Sequence, residues 1–201
     1  MTPLELIELS IRLEYSLDQG GLLVPFTGST EQARFIIYRH AGGYVTYFRH
    51  DLPEFIQEQI LALPRGQAFD DHETIKRLLA IHAPCRDIWI GGSCWFASIP
   101  AQGDFPDAAL DENRWVIKIN GEAVAWAWMV RGNDLAVEVA VETKPEFQRW
   151  GFGRQVTAAW ARDVMSREQV AFYSYHHDNA ASQALAKSLG LVKYADGVAY
   201  D

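Results

Sequence analysis

From Trp115 to Val141 apolar residues alternate along the chain, a pattern that suits a half-buried sheet. Trp115, Ile117 and Ile119 occupy every second position, Asn120-Gly121 follows, and Ala123 to Val130 reads as a return strand. Asn-Gly between alternating apolar runs is the strongest short hairpin signal, because both residues tolerate the positive φ that a two-residue turn demands. Gly132-Asn133-Asp134 supplies the next turn. Leu135, Val137, Val139 and Val141 then share one face of a third strand, with Glu138 and Glu142 on the other. A three-stranded antiparallel meander is expected.

The meander leads through Lys144-Pro145-Glu146-Phe147 into Gln148-Arg149-Trp150-Gly151-Phe152-Gly153, after which Val156, Trp160 and Val164 recur at helical spacing. Val170 to Tyr175 reads as a further strand and Asn179 to Leu189 as a further helix, closed by Gly190. The fold class is therefore α/β: a strongly twisted mixed sheet, antiparallel through residues 114 to 141 and joined in parallel by the strand at 170 to 175, flanked by helices.

The first half reads as α+β. Leu6, Leu9 and Leu13 predict a helix over residues 1–20 stopped by Gly20-Gly21, and Ala33–Arg39 and Tyr44–His50 predict strands joined by a turn at Ala41-Gly42-Gly43. Pro53 opens a helix carrying Phe55, Ile56, Ile60 and Leu63, which Pro64-Arg65-Gly66 breaks. Another helix, behind Asp71 and Thr74, carries Ile75, Leu78, Leu79 and His82. Asp87 to Ala97 resembles a strand interrupted by Gly91-Gly92. The Pro-, Asp-, Gly- and Ala-rich stretch Ser98–Asn113 is taken as the boundary between a region 1–110 and a region 111–201.

Charge narrows the function classes. A net charge of −8 and no basic run argue against a nucleic-acid surface, which needs clustered Lys and Arg, whereas an acidic protein suits a cationic amine. Met1–Leu9 carries Glu5 and Glu8 and lacks the basic and continuous apolar regions of a secretory signal, and no apolar run is long enough to span a bilayer, so a cytoplasmic protein without a membrane partner is expected. Cys85 and Cys94 show neither a CxxC motif nor a His at ligand spacing, so they read as reduced thiols, with no metal site.

A glycine loop between a strand and a helix suits a phosphate. Unpaired amides converge at the helix N-terminus, where the helix dipole also favours negative charge. Gly151 and Gly153 let the backbone approach closely, and Arg149 and Arg154 add charge from the flanks. Alone, a Gly-x-Gly more often marks a tight turn. A dinucleotide fold is disfavoured, because an antiparallel meander precedes this loop and the third glycine of that fingerprint is missing.

Gln148-x-x-Gly151-x-Gly153 follows Val141-Glu142-Thr143-Lys144-Pro145, and Asn179-x-x-Ser182 recurs ahead of Leu189-Gly190-Leu191. Over residues 112 to 194 this resembles the Gcn5-related N-acetyltransferase superfamily. The resemblance implies an acetyl-CoA-dependent N-acetyltransferase. Val139, Val141 and Thr143 would line the pantetheine arm, and Gln148, Arg149, Trp150, Gly151, Phe152, Gly153 and Arg154 would hold the pyrophosphate through their amides. Asn179 and Ser182 would lie beside the pantetheine, near the departing sulfur; Asn179 equally reads as a plain N-cap. Tyr44–Leu63 and Glu138–Thr143 are more loosely similar to a subgroup that includes antibiotic self-resistance acetyltransferases, which puts the first hundred residues on the acceptor side.

Acyl transfer to an ammonium needs a base, and Glu138, then Glu142, are the candidates on the strand before the loop. His176 and His177 read as exposed loop residues, and Trp115, Trp126 and Trp128 as core. Many members of the superfamily carry a proton-donating tyrosine four residues before the Leu-Gly turn. Ala186 stands there in this chain, which leaves water, Tyr173 or Tyr194 to protonate the thiolate. The acceptor is expected to be a small-molecule amine of unspecified identity; a homodimer is one option for the assembly. The alternative is a non-catalytic acyl-CoA-binding regulatory module.

Overall fold

The computed structural model of the protein describes residues 1–28 and 33–201, divided between two units: Met1–Gly92 with Tyr194–Asp201, and Ser93–Lys193. In the first unit, Thr2 starts helix α1 (Pro3–Ile11) with a capping box: its hydroxyl accepts from the Glu5 amide, and the Glu5 carboxylate accepts from the Thr2 amide at 2.7 Å. The helix ends at Ile11 rather than near residue 20. Tyr15–Leu17 (β1) instead pairs with Leu23–Pro25 (β2), because the buried Tyr15 draws the chain into an extended course and Asp18 Oδ1 closes the turn on the amides of Gly20 and Leu22.

The expected hairpin is present as β3 (Phe35–His40) and β4 (Gly43–Phe48), antiparallel from Phe35↔Phe48 to His40↔Gly43. Helix α2 (Glu54–Ala62) buries Ile56 and Ile60 but leaves Phe55 exposed. Pro64 does not simply break the chain; it caps a further short helix, α3 (Arg65–Asp70), since proline's missing amide costs nothing at a helix start. Helix α4 (His72–Leu79) is capped by Asp71, whose side chain accepts from the Thr74 amide. Arg34 is buried and donates to the carbonyls of Leu79 at the end of α4, of Ala83 and Pro84 beyond it, and of Asp201. A buried guanidinium is tolerated because four carbonyls receive it.

β5 (Ile88–Trp95) passes through Gly91 and Gly92 without interruption, both buried. It gives Ile88–Gly92 to the first unit and Ser93–Trp95 to the second. The stretch read as a boundary holds a 3₁₀ turn at Gln102–Asp104 and an edge strand, β6 (Ala109–Asp111).

The meander follows in the second unit as β7 (Arg114–Ile119), β8 (Glu122–Gly132) and β9 (Ala136–Thr143), antiparallel throughout. Asn120 and Gly121 have φ of 52° and 84°, as a two-residue hairpin turn requires. Helix α5 (Phe152–Ser166), strand β10 (Val170–His176) and helix α6 (Ala180–Ser188) complete the unit, and β10 joins β9 in parallel. The strand order is β10-β9-β8-β7-β6. Mixed sheet and flanking helices are as the sequence led us to expect. Leu135 is an exception to the expected buried face: it lies outside β9 and is exposed, while Val137 and Val139 are buried against Val156, Trp160 and Val164 of α5. Each such side chain contributes roughly 1.5–3 kcal/mol.

The last strand, β11 (Val192–Tyr200), begins in the second unit and pairs with β3 in the first, from Asp196↔Arg39 to Tyr200↔Phe35. Among the described residues no helix is long and apolar enough to cross a membrane.

Candidate functional site

The second unit contains an opening in its sheet. The parallel ladder of β9 and β10 runs from Ala136↔Val170 to Glu138↔Phe172 and stops, although β9 continues to Thr143 and β10 to His176. On its other side β9 stays paired with β8 as far as Thr143↔Ala125. One edge of residues 139–143 therefore presents backbone N–H and C=O groups without a strand partner, and such groups seek one. The side chains of Val139 and Val141 pack into the core with Val156 and Trp160. What these residues offer to the opening is backbone.

The same strand delivers the chain to the glycine loop. After a 3₁₀ turn at Pro145–Phe147, Gln148 is extended, Arg149 has φ 66° and Gly151 φ 84°. Gly151 is the N-cap of α5 and no side chain caps the helix. The first intrahelical bond runs from Gln155 N to Gly151 O, leaving the amides of Phe152, Gly153 and Arg154 with no acceptor inside the helix.

The two glycines serve different ends. Gly151 meets open space but needs a left-handed backbone, whereas at Gly153 a Cβ would stand 3.2 Å from Thr143 Oγ1, a tight contact from which the Thr143 side chain would have to shift by a few tenths of an ångström.

Charge around the loop is unevenly committed. Arg154 donates to Asp104 Oδ1 at 3.0 Å and to the Ser188 carbonyl, and this guanidinium holds the Asp104 carboxyl below the usual carboxylate range. Arg149 is exposed, with no partner among the described residues. Gln148 Nε2 donates back to the Thr143 carbonyl at 3.4 Å.

Glu138 sits where the ladder ends and is 7% exposed. Its Oε2 lies 2.9 Å from Arg131 Nε on β8, and its Oε1 accepts a short hydrogen bond from Ser174 on β10. The Arg131 contact is an ion pair rather than a hydrogen bond, and a carboxylate has about four acceptor sites, so lone pairs remain for a further donor. Sequence reasoning missed both partners. The expected return strand ended at Val130, and a β-bulge between Met129 and Arg131 shifts the register so that Arg131 opposes Glu138. Alternation alone carries no signal for such a shift. Glu142 pairs across from Trp126 and is exposed without a described partner. Trp126 and Trp128 are half-buried rather than fully buried, and the Arg114 guanidinium lies 5.5 Å from the Trp128 ring centre.

Helix α6 closes the site at its N-terminal end. Asn179 is its N-cap, Oδ1 accepting from the Ser182 amide at 2.9 Å, so the capping reading of this residue holds. Tyr173, one residue past the last rung of the ladder and buried, places its hydroxyl 2.6 Å from Ser182 Oγ. Burial raises the phenol's pKa above its ordinary value, against a smaller opposing effect of the Ser182 bond. Ala186 is buried on the same helix. His176 and His177 are exposed.

An unpaired strand edge, a helix start without a side-chain cap and a glycine packed on that strand offer backbone donors and acceptors to an extended ligand with an anionic group. Residues 118–198 match the family model described as FR47-like protein. No curated protein matches the chain. Among solved structures, an acetyltransferase of the GNAT family from Colwellia psychrerythraea is similar at 9% identity over 78% of this chain and 75% of that one, with a TM-score of 0.52. A GCN5-related N-acetyltransferase-like protein from Streptococcus suis is similar at 13% identity over 87% and 86%, with a TM-score of 0.51. A protein assigned to the GNAT acetyltransferases from Novosphingobium aromaticivorans shares 16% identity at a TM-score of 0.49, and this chain covers 65% of its length.

Proposed function

We propose, on the premise that the fold is that of the Gcn5-related N-acetyltransferase superfamily, that this chain binds acetyl-CoA and transfers its acetyl group to a small-molecule amine in the cytoplasm. The observation that carries the reading is the parting of β9 and β10 after Glu138, with the uncapped start of α5 at the other end of the same strand edge. The edge of Val139, Val141 and Thr143, which no strand pairs on that side, would pair with the amides of the pantetheine arm. The amides of the loop from Gln148 to Arg154 would receive the pyrophosphate, with Arg149 as the uncommitted charge. Asn179 and Ser182 would flank the arm near the sulfur.

When bound, acetyl-CoA supplies an activated thioester. Transfer forms an N–C bond and breaks a C–S bond, so the chain must take a proton from the acceptor ammonium and accommodate the thiolate that departs. We assign the first task to Glu138, whose remaining lone pairs can receive the ammonium or an intervening water while the Arg131 ion pair and the Ser174 hydrogen bond hold the carboxylate still. Glu142 adds negative charge on the same face. A backbone amide near Val141 would polarise the carbonyl. For the second task Tyr173, whose hydroxyl is hydrogen-bonded to Ser182, is the candidate phenol, since a tyrosine is a hydrogen-bond donor at neutral pH.

The test is an acceptor screen with acetyl-CoA that reads free CoA release across polyamines, amino acids, aminoglycosides and peptides. We expect release with at least one small amine. Binding of acetyl-CoA without release for any acceptor would instead identify a non-catalytic acyl-CoA-binding module.

A further inference from the structure

Trp150 is 64% exposed, the most exposed of the large apolar side chains. Tryptophan is usually among the better-buried residues, so a solvent-facing indole in a loop of this kind calls for a reason. Its ring is not loose: it meets Phe147 edge-on at 5.9 Å and 72°, and Phe152 at 5.9 Å and 45°. Neither contact is a parallel stack. The neighbouring residues Arg149 and Gly151 both have positive φ, so a rigid reversal of the backbone presents the indole immediately before the free amides of α5.

On the proposed function above, the nucleotide end of the cofactor continues from the pyrophosphate held at those amides. The adenine base is its one flat π surface. An indole braced by two phenyl rings suits such a surface, because stacking needs a fixed ring with an unoccupied face, and exposed Arg149 beside it suits the nucleotide's phosphates. We infer that Trp150 is the stacking platform for the adenine base, a recognition element for the nucleotide end of the ligand that acts through its side chain and separately from the loop amides.

The inference rests on the acetyl-CoA reading, and the test separates the two. Calorimetric titration of the full chain with CoA and with 4′-phosphopantetheine, which lacks the 3′-phosphoadenosine and keeps only one phosphate of the pyrophosphate, is compared for wild type, Trp150→Ala and Trp150→Phe. Trp150→Ala should weaken CoA roughly tenfold, Trp150→Phe should retain most of the affinity, and phosphopantetheine should bind all three alike. Quenching of tryptophan fluorescence by CoA in wild type should shrink in Trp150→Phe. Unchanged CoA affinity in Trp150→Ala, or equal weakening of both ligands, would overturn the stacking role while leaving the cofactor reading intact. A wild-type protein that binds neither ligand would remove both.

Discussion

Glu138 carries the chemistry of the proposed transfer and its geometry makes the cost of losing it readable. Glu138→Gln should lower kcat with little effect on acetyl-CoA affinity, and the loss should shrink at high pH, where more of the acceptor is already a free amine. Glu142→Gln, which removes an exposed carboxylate without a described partner, should have the smaller effect. A pH–rate profile identical to wild type would take Glu138 out of the mechanism. Because the same change leaves the Arg131 guanidinium facing a neutral amide, it should also lower the melting temperature, which calorimetry checks separately. Tyr173→Phe removes the hydroxyl on Ser182 and should slow turnover while CoA still binds; undiminished kcat would show that the phenol only braces α6. At this scale the sequence exposed the candidates but not their partners. Glu138 was visible from strand alternation, whereas Arg131 and Ser174 reach it through a bulge and a parallel pairing that no local pattern encodes.

At the scale of elements, what could be read from the sequence was whatever local chemistry decides. Asn120-Gly121, the 3.6-residue period of α5 and the cap at Gly190 appear as expected, Gly190 with φ 67°. The elements missed are those set by tertiary contact: α1 stops early because Tyr15 is needed in the core, and α3 follows Pro64 because Ala68 and Phe69 have somewhere to be buried. Caps give this scale its own prediction. Thr74 holds the Asp71 carboxyl below its usual range through side-chain and then backbone hydrogen bonds, as Arg154 does for Asp104. A carboxyl depressed in the folded state adds stability above its unfolded pKa, near 4, and that contribution is lost as pH falls through the lower folded value. Asp71→Ala should therefore lower the melting temperature at pH 7, with a deficit that narrows as the pH drops below about 4. A deficit that is constant between neutral and acid pH would show that the carboxylate's charge contributes nothing at this cap.

Across the whole molecule, the second unit was far more legible than the first, because its turns and glycine loop have strong local signatures while the first unit's helices depend on a core assembled from residues distant in sequence. A ligand that binds the folded state raises stability by mass action. At a concentration about a hundred times its Kd, such a ligand adds roughly 2.7 kcal/mol, which for a chain of this size corresponds to a shift of about 5–10 °C. Thermal melting of the full chain with acetyl-CoA, CoA and NAD at equal millimolar concentration separates these ligands. Acetyl-CoA and CoA should raise the melting temperature by several degrees and NAD should leave it unchanged; no shift with acetyl-CoA, or an equal shift with NAD, would contradict the assignment.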